Sequence, residues 1–269
     1  MKKTDTFFVI DNYNTVPTEL LEYCKSYKLY DASIDENIPK KLSEHGIEYE
    51  KIPRTGHNIS TYFKFFADYY EMLPEWLCLT KGHMIGRHCS KEFFESVYDN
   101  KYFTYLFSSD NEIDSEVAFL SMNNMYLEKN DSWKMYISSP NHPHKYFDDY
   151  NRLLKFIYQN PIVPRYCQFA PGGCYIISKE QVLKHTKEFY INLNKIMSYG
   201  LKPNFPSEAH QIERMLPIIF CANYIENEWM NDEEAFDKKI KEEEIITIRN
   251  DKARLKKTCN VFKRFIGSE

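Results

Sequence analysis

No two of the seven cysteines form a CxxC pair, and their scattered spacing supplies neither a disulfide framework nor a zinc site, so they read as reduced, mostly buried thiols. A run of about 20 apolar residues, the length that spans a bilayer, is missing. The apolar stretch Phe7-Phe8-Val9-Ile10 is too short for a signal peptide, and the expected location is the cytosol. Basic excess is missing too. The formal net charge is −4, whereas a general nucleic-acid binder needs a basic face to neutralise phosphates. Internal repeats and low-complexity runs are absent. What remains is a chain of 269 residues, 43% hydrophobic and 16% aromatic, long enough to bury a sizeable core in one large α/β domain. Most of its 21 Tyr and 19 Phe belong in that core, and the rest offer flat surfaces for stacking.

The most informative stretch runs from Ile52 to His88. Ile59, Phe63, Phe66, Tyr70 and Leu73 recur at helical spacing, with Ser60, Lys64, Asp68 and Glu71 on the opposite side. Ahead of this helix, Arg54-Thr55-Gly56-His57-Asn58 makes a flexible turn with Thr55 or Asn58 as the N-cap. The positive end of a helix is a place to hold phosphate. Pro74 stops the helix, and Trp76 to Thr80 reads as a buried strand leading into Lys81-Gly82-His83, with Arg87 and His88 close behind. Ligands in open α/β sheets sit beyond such strand ends. His83 and His88 are five apart, which is not the helical spacing of a metal pair.

Elsewhere strands alternate with helices. Phe7 to Ile10 is a strand ending in Asp11-Asn12-Tyr13-Asn14, and Pro17 opens a helix. Tyr27 to Tyr30, Ile47 to Ile52 and Tyr102 to Phe107 are further extended pieces. This alternation predicts a mainly parallel sheet with helices on both faces. Ala170-Pro171-Gly172-Gly173 permits close backbone approach before the strand Cys174 to Ile177, and Ser178 with Gln181 forms a capping box. Ser207 caps a helix with Glu208, His210 and Glu213 near its start. An acid in the first turn stays ionised, making Glu208 a candidate base. Bland roles compete throughout: Asp11 as a turn former, Asn58 as a cap, Glu208 as a complement to the helix dipole.

The order of these pieces resembles that of GT-A-type nucleotide-sugar glycosyltransferases: VIDNYN at a strand end, R-x-G-x-N before a helix, a strand ending where a DxD motif would stand, a Gly-Gly-plus-strand element and an acidic helix start. The stretch GHNISTYFKFFADYYEMLPEWLCLTKGH is similar to a group of bacterial and fungal proteins related to that fold. The resemblance covers about residues 5–222. It implies a Rossmann-like GT-A catalytic domain over 1–222 and a charged helical extension over 223–269. It places Asp11 and Asn14 at the nucleotide, Arg54 and Asn58 at nucleotide or phosphate, and Glu208 as the base of an inverting enzyme. Gly172, Gly173, His210 and Glu213 are the expected acceptor contacts. The sequence departs from the family at Thr80-Lys81-Gly82-His83, which offers no carboxylate in the DxD position. Lys81, His83 and Arg87 are then expected to neutralise the diphosphate directly. The alternative is Mn²⁺ or Mg²⁺ held by Asp110, Glu112 or Asp114.

The expected activity is transfer of a sugar from a nucleotide-diphosphate donor to a hydroxyl of a surface glycan or lipid-linked acceptor. Alternatives are a nucleotidyl- or phosphotransferase and a noncatalytic glycan- or nucleotide-binding protein. The acidic run from Glu226 to Glu244 reads as a solvated face. Residues 252–266 place Leu255, Cys259, Phe262 and Ile266 on one helical stripe among six Lys and Arg. Such a helix suits peripheral contact with an anionic membrane, or docking on the domain.

Overall fold

A computed structural model describes residues 2–109, 118–120, 125–131, 144–199 and 206–244. Its strands are β1 (Phe7–Asn12), β2 (Tyr27–Asp31), β3 (Glu50–Lys51), β4 (Trp76–Lys81), β5 (Thr104–Tyr105), β6 (Ala118–Leu120), β7 (Tyr126–Lys129), β8 (Tyr166–Gln168) and β9 (Tyr175–Ser178). The helices are α1 (Thr18–Leu21), α2 (Asn37–Glu44), α3 (His57–Asp68), α4 (Lys91–Val97), α5 (Tyr150–Ile157), α6 (Lys179–Val182), α7 (Lys187–Met197) and α8 (Ser207–Cys221). Residues 233–244 form a further helix, α9.

Six strands make one sheet in the order β3-β2-β1-β4-β9-β5. β3, β2, β1 and β4 are parallel to one another, while β9 runs antiparallel to both β4 and β5. The α/β class is as the sequence predicts, but the sheet is mixed and not simply parallel. Strand alternation sends Val9, Leu77, Leu79, Tyr175 and Ile177 into one core with α3, α7 and α8. It sends Phe8, Ile10, Cys78, Cys174 and Ile176 into a second core with α2 and α4. Both faces are therefore covered, which is why the strands read as continuous apolar runs. The capping box at Ser178 and Gln181 forms as expected.

β6-β7-β8 form a small antiparallel sheet. Arg214 of α8 anchors it, with Nε 2.8 Å and Nη2 2.6 Å from Glu128 Oε2 and the guanidinium over the Phe169 ring. The helix expected to reach Leu73 ends at Asp68 and yields to a 3-10 turn at Tyr70–Met72. The acidic C-terminal run keeps an apolar side. Phe236 and Ile240 of α9 are buried in the same core as α3 and α7. No described helix is long and apolar enough to cross a membrane. The basic stretch 252–266 lies outside the described residues.

Candidate functional site

The chain leaves β1 for β2 and β3 on one side, then crosses to β4 on the other, so the sheet has its topological switch point between β1 and β4. A crevice at the C-terminal ends of two such strands is where α/β sheets hold ligands. A cleft of about 300 Å³ lies there. Its walls come from the strand ends (Asp11, Tyr13, Lys81, His83, Arg87), the turn and first helical residues of α3 (Arg54, His57, Asn58, Thr61) and one side of α8 (His210, Glu213).

Asp11 and Lys81 are register partners at the ends of β1 and β4. Thr61 donates to Asp11 Oδ1 at 2.6 Å, and Oδ2 carries no hydrogen bond among the described residues. Burial raises the Asp11 pKa, opposed by Thr61, Lys81 and Arg54. The Arg54 guanidinium lies 3.6 Å from the centroid of the Tyr13 ring, and burial lowers its pKa. Lys81 and Arg87 pair with no carboxylate among the described residues. Three permanent cations and the histidines His57, His83 and His210 thus share the cleft with two acids, Asp11 and Glu213.

Backbone geometry brings these groups together. Gly82 N–H donates to Asp11 O at 2.8 Å, and a Cβ at Gly82 would fall 2.5 Å from Asn12 Oδ1. A side chain at position 82 would have to displace those of Asn12 and Thr15, so glycine lets the loop after β4 close on β1 without that shift. Gly56, at φ +48°, lets α3 approach α7, because a Cβ there would meet Ser60 Cβ at 2.7 Å and Met197 Cβ at 2.9 Å. The helix starts without a side-chain cap. Asn58 does not fill that role: its Nδ2 donates to Gly172 O at 2.9 Å and to Tyr62 Oη at 3.1 Å.

Four further expected residues, Glu208, Asn14, Gly172 and Gly173, do not line the cleft. Glu208 is fully enclosed and does not line the cleft; it accepts N–H groups of Lys145 and Tyr146 at 2.8 Å and the Tyr199 hydroxyl at 2.6 Å. It therefore ties the 145–147 segment to the start of α8, and an acceptor cannot reach it. Ser207 is the first residue of that helix and makes no cap hydrogen bond. Asn14 adopts φ +53° and uses its side chain to accept N–H groups of Ile34 and Asp35, bracing the loops after β1 and β2. Gly172 and Gly173 lie behind the cleft wall, in contact with Asn58, Ile59 and the His88 ring. Burial pushes the His88 pKa down to about 3, with Lys81, Arg87 and His83 adding to the effect. Asp110, Glu112 and Asp114 lie outside the described residues, and no group of three metal-ligating side chains gathers among the described ones.

Tyr13, His57 and Thr61 line the cleft without having been singled out from the sequence. Thr61 stands three residues after Asn58 and so shares its helix face, a signal that was available. Tyr13 sits inside VIDNYN, and His57 inside R-x-G-x-N. Comparison with family models, curated proteins and solved structures returns no match. Chemically, the cleft can hold a multiply charged anion against its cations and present a carboxylate oxygen from α8. Glu213 supplies that oxygen: Oε1 accepts Gly172 N–H at 2.8 Å, while Oε2 forms, among the described residues, a single long ion pair with Arg214 Nη1 at 3.9 Å.

Proposed function

We propose that the protein is a glycosyltransferase of GT-A type that takes a nucleotide-diphosphate sugar as donor and a hydroxyl of a glycan or lipid-linked molecule as acceptor. The observation that carries this reading is the pair of cations without a carboxylate partner among the described residues, Lys81 and Arg87, set with Arg54 in a cleft at the sheet's switch point that the mostly buried acid Glu213 also lines. Asp11 and the Tyr13 ring would meet the nucleoside, and Arg54, Lys81, His83 and Arg87 the diphosphate. The base role assigned from sequence to Glu208 passes to Glu213. In an inverting displacement the acceptor O–H gives its proton to Glu213 as its oxygen bonds to the anomeric carbon. The bond from that carbon to the diphosphate breaks, and its electron pair leaves with the diphosphate, whose charge the cations offset.

A thermal-shift panel of nucleotide-diphosphate sugars, with and without Mn²⁺ or EDTA, tests the reading, because a ligand that prefers the folded state raises its stability. Binding followed by slow release of nucleoside diphosphate is expected. Release of pyrophosphate or monophosphate would favour a nucleotidyl- or phosphotransferase, and binding without turnover a noncatalytic protein. Lys81→Ala and Arg54→Ala should each weaken nucleotide binding by about 1–3 kcal/mol, the range for losing a charge-assisted contact. Unchanged affinity in both would remove this cleft from the function. Glu213→Gln should keep nucleotide binding and lower transfer by about 10²–10⁴-fold.

A further inference from the structure

Gly172 is held at both of its polar atoms by residues from two different helices that line the cleft. Its N–H donates to Glu213 Oε1 of α8 at 2.8 Å, and its carbonyl accepts from Asn58 Nδ2 of α3 at 2.9 Å. Asn58 is 2% exposed and is the second residue of its helix, whose N-cap position is held by Gly56. Gly172 has φ +98°, a conformation that glycine enters and leaves easily, so the residue's own chemistry does not hold its N–H in place. Its neighbours do. A Cβ at Gly172 would fall 2.6 Å from the His88 ring, and one at Gly173 2.8 Å from Ile59 Cδ1, so the turn is wedged between three parts of the chain.

We propose that Asn58 is a positioning residue that sets the Glu213 carboxylate through Gly172. With the Gly172 carbonyl pinned, its N–H points at Oε1, and that single bond orients the carboxylate so that Oε2 is presented to the cleft. Without Asn58 the carbonyl keeps only the Cys174 thiol, at 3.5 Å, beside the Gly173 N–H bond to Ala170 O of the same peptide; the turn loosens within its wedge, the N–H bond to Oε1 weakens, and the carboxylate can swing towards Arg214 Nη1. The base role of Glu213 rests on the glycosyl-transfer reading, but the link from Asn58 to Glu213 does not.

The link is read without any substrate from amide spectra of the ¹⁵N-labelled full chain recorded across pH. An amide proton bonded to a carboxylate shifts as that carboxylate titrates, so the Gly172 signal should be pH-dependent in the wild type and flat in Glu213→Gln. Asn58→Ala should reduce the amplitude of the Gly172 shift by at least about half. Asn58→Leu, which keeps the shape, removes the donor and adds no titrating group, should do the same and covers the case in which the alanine variant fails to fold. A Gly172 amide that does not titrate in the wild type, or that titrates with equal amplitude in a folded Asn58 variant, overturns the proposal. If the Gly172 signal behaves as expected while no nucleotide sugar is turned over, the positioning link stands and the transferase reading falls.

Discussion

Glu208 and Asp31 are both buried carboxylates near the cleft, and their surroundings move them in opposite directions. Burial raises the Glu208 pKa, against the opposing pull of the Tyr146 and Lys145 N–H groups and the Tyr199 hydroxyl. Removing this side chain strands those donors in the interior. Glu208→Ala should therefore cost on the order of 3 kcal/mol in urea unfolding, as a stability defect and not a loss of the reacting group. For Asp31, burial alone would raise the pKa, yet Lys51, Ser33 and Asn12 together hold it below its ordinary value. A carboxylate with a depressed folded pKa stabilises above its unfolded pKa and loses that contribution as pH falls through the folded one. Asp31→Asn should accordingly cost about 2 kcal/mol at neutral pH, with the gap to wild type closing as pH drops below about 4. A gap that stays constant to strongly acidic pH would show that the ion pair and hydrogen bonds of Asp31 do not stabilise the fold.

Among the elements, α3 depends on Gly56 for its approach to α7. Gly56→Ala places a methyl group against Ser60 and Met197 in a left-handed backbone conformation, and should lower stability by about 1–3 kcal/mol. A melting temperature equal to wild type would show that the two helices can separate at no cost. β1, β4 and the core of α3 were legible because each is a strongly patterned apolar run bounded by turn residues. β3 and β5 are only two residues long, shorter than the extended pieces Ile47 to Ile52 and Tyr102 to Phe107 suggest, because pairing partners and not local pattern end a strand. The direction of β9 was not legible, since a strand buried on both faces has the same pattern whichever way it runs. The site misread has a similar cause. Glu208 and Glu213 lie on one helix about 140° apart, so they cannot both face the cleft. α8 is buried on nearly every side, which erases the polar stripe that would have told the two apart.

For the whole molecule, the described part of the C-terminal region settles its place in the fold. Residues 223–244 belong to the body of the protein: Met230 and Phe236 are fully buried, Tyr158 bridges to Glu226, and Lys145 pairs with Glu244. Phe236→Ala should cost about 3–5 kcal/mol, as expected for an aromatic removed from a packed core. Flotation with anionic vesicles at low and high salt checks the expectation for 252–266: full-length protein should float and a version ending at Asn250 should not. The place of β9 has a kinetic meaning. It is the last strand of the large sheet to be made, yet it sits between β4 and β5, which leave the ribosome much earlier. Until it arrives, β4 has one open edge carrying Leu77 and Leu79, and β5 has nothing to pair with. The half of the cleft that holds Asp11, Arg54 and Lys81 can assemble on the nascent chain, whereas the half that holds His210 and Glu213, backed by Gly172, must wait for closure across a long separation. Chains arrested before Gly172 should therefore be sticky, chaperone-bound species, and release of β9 should mark the point at which they become soluble.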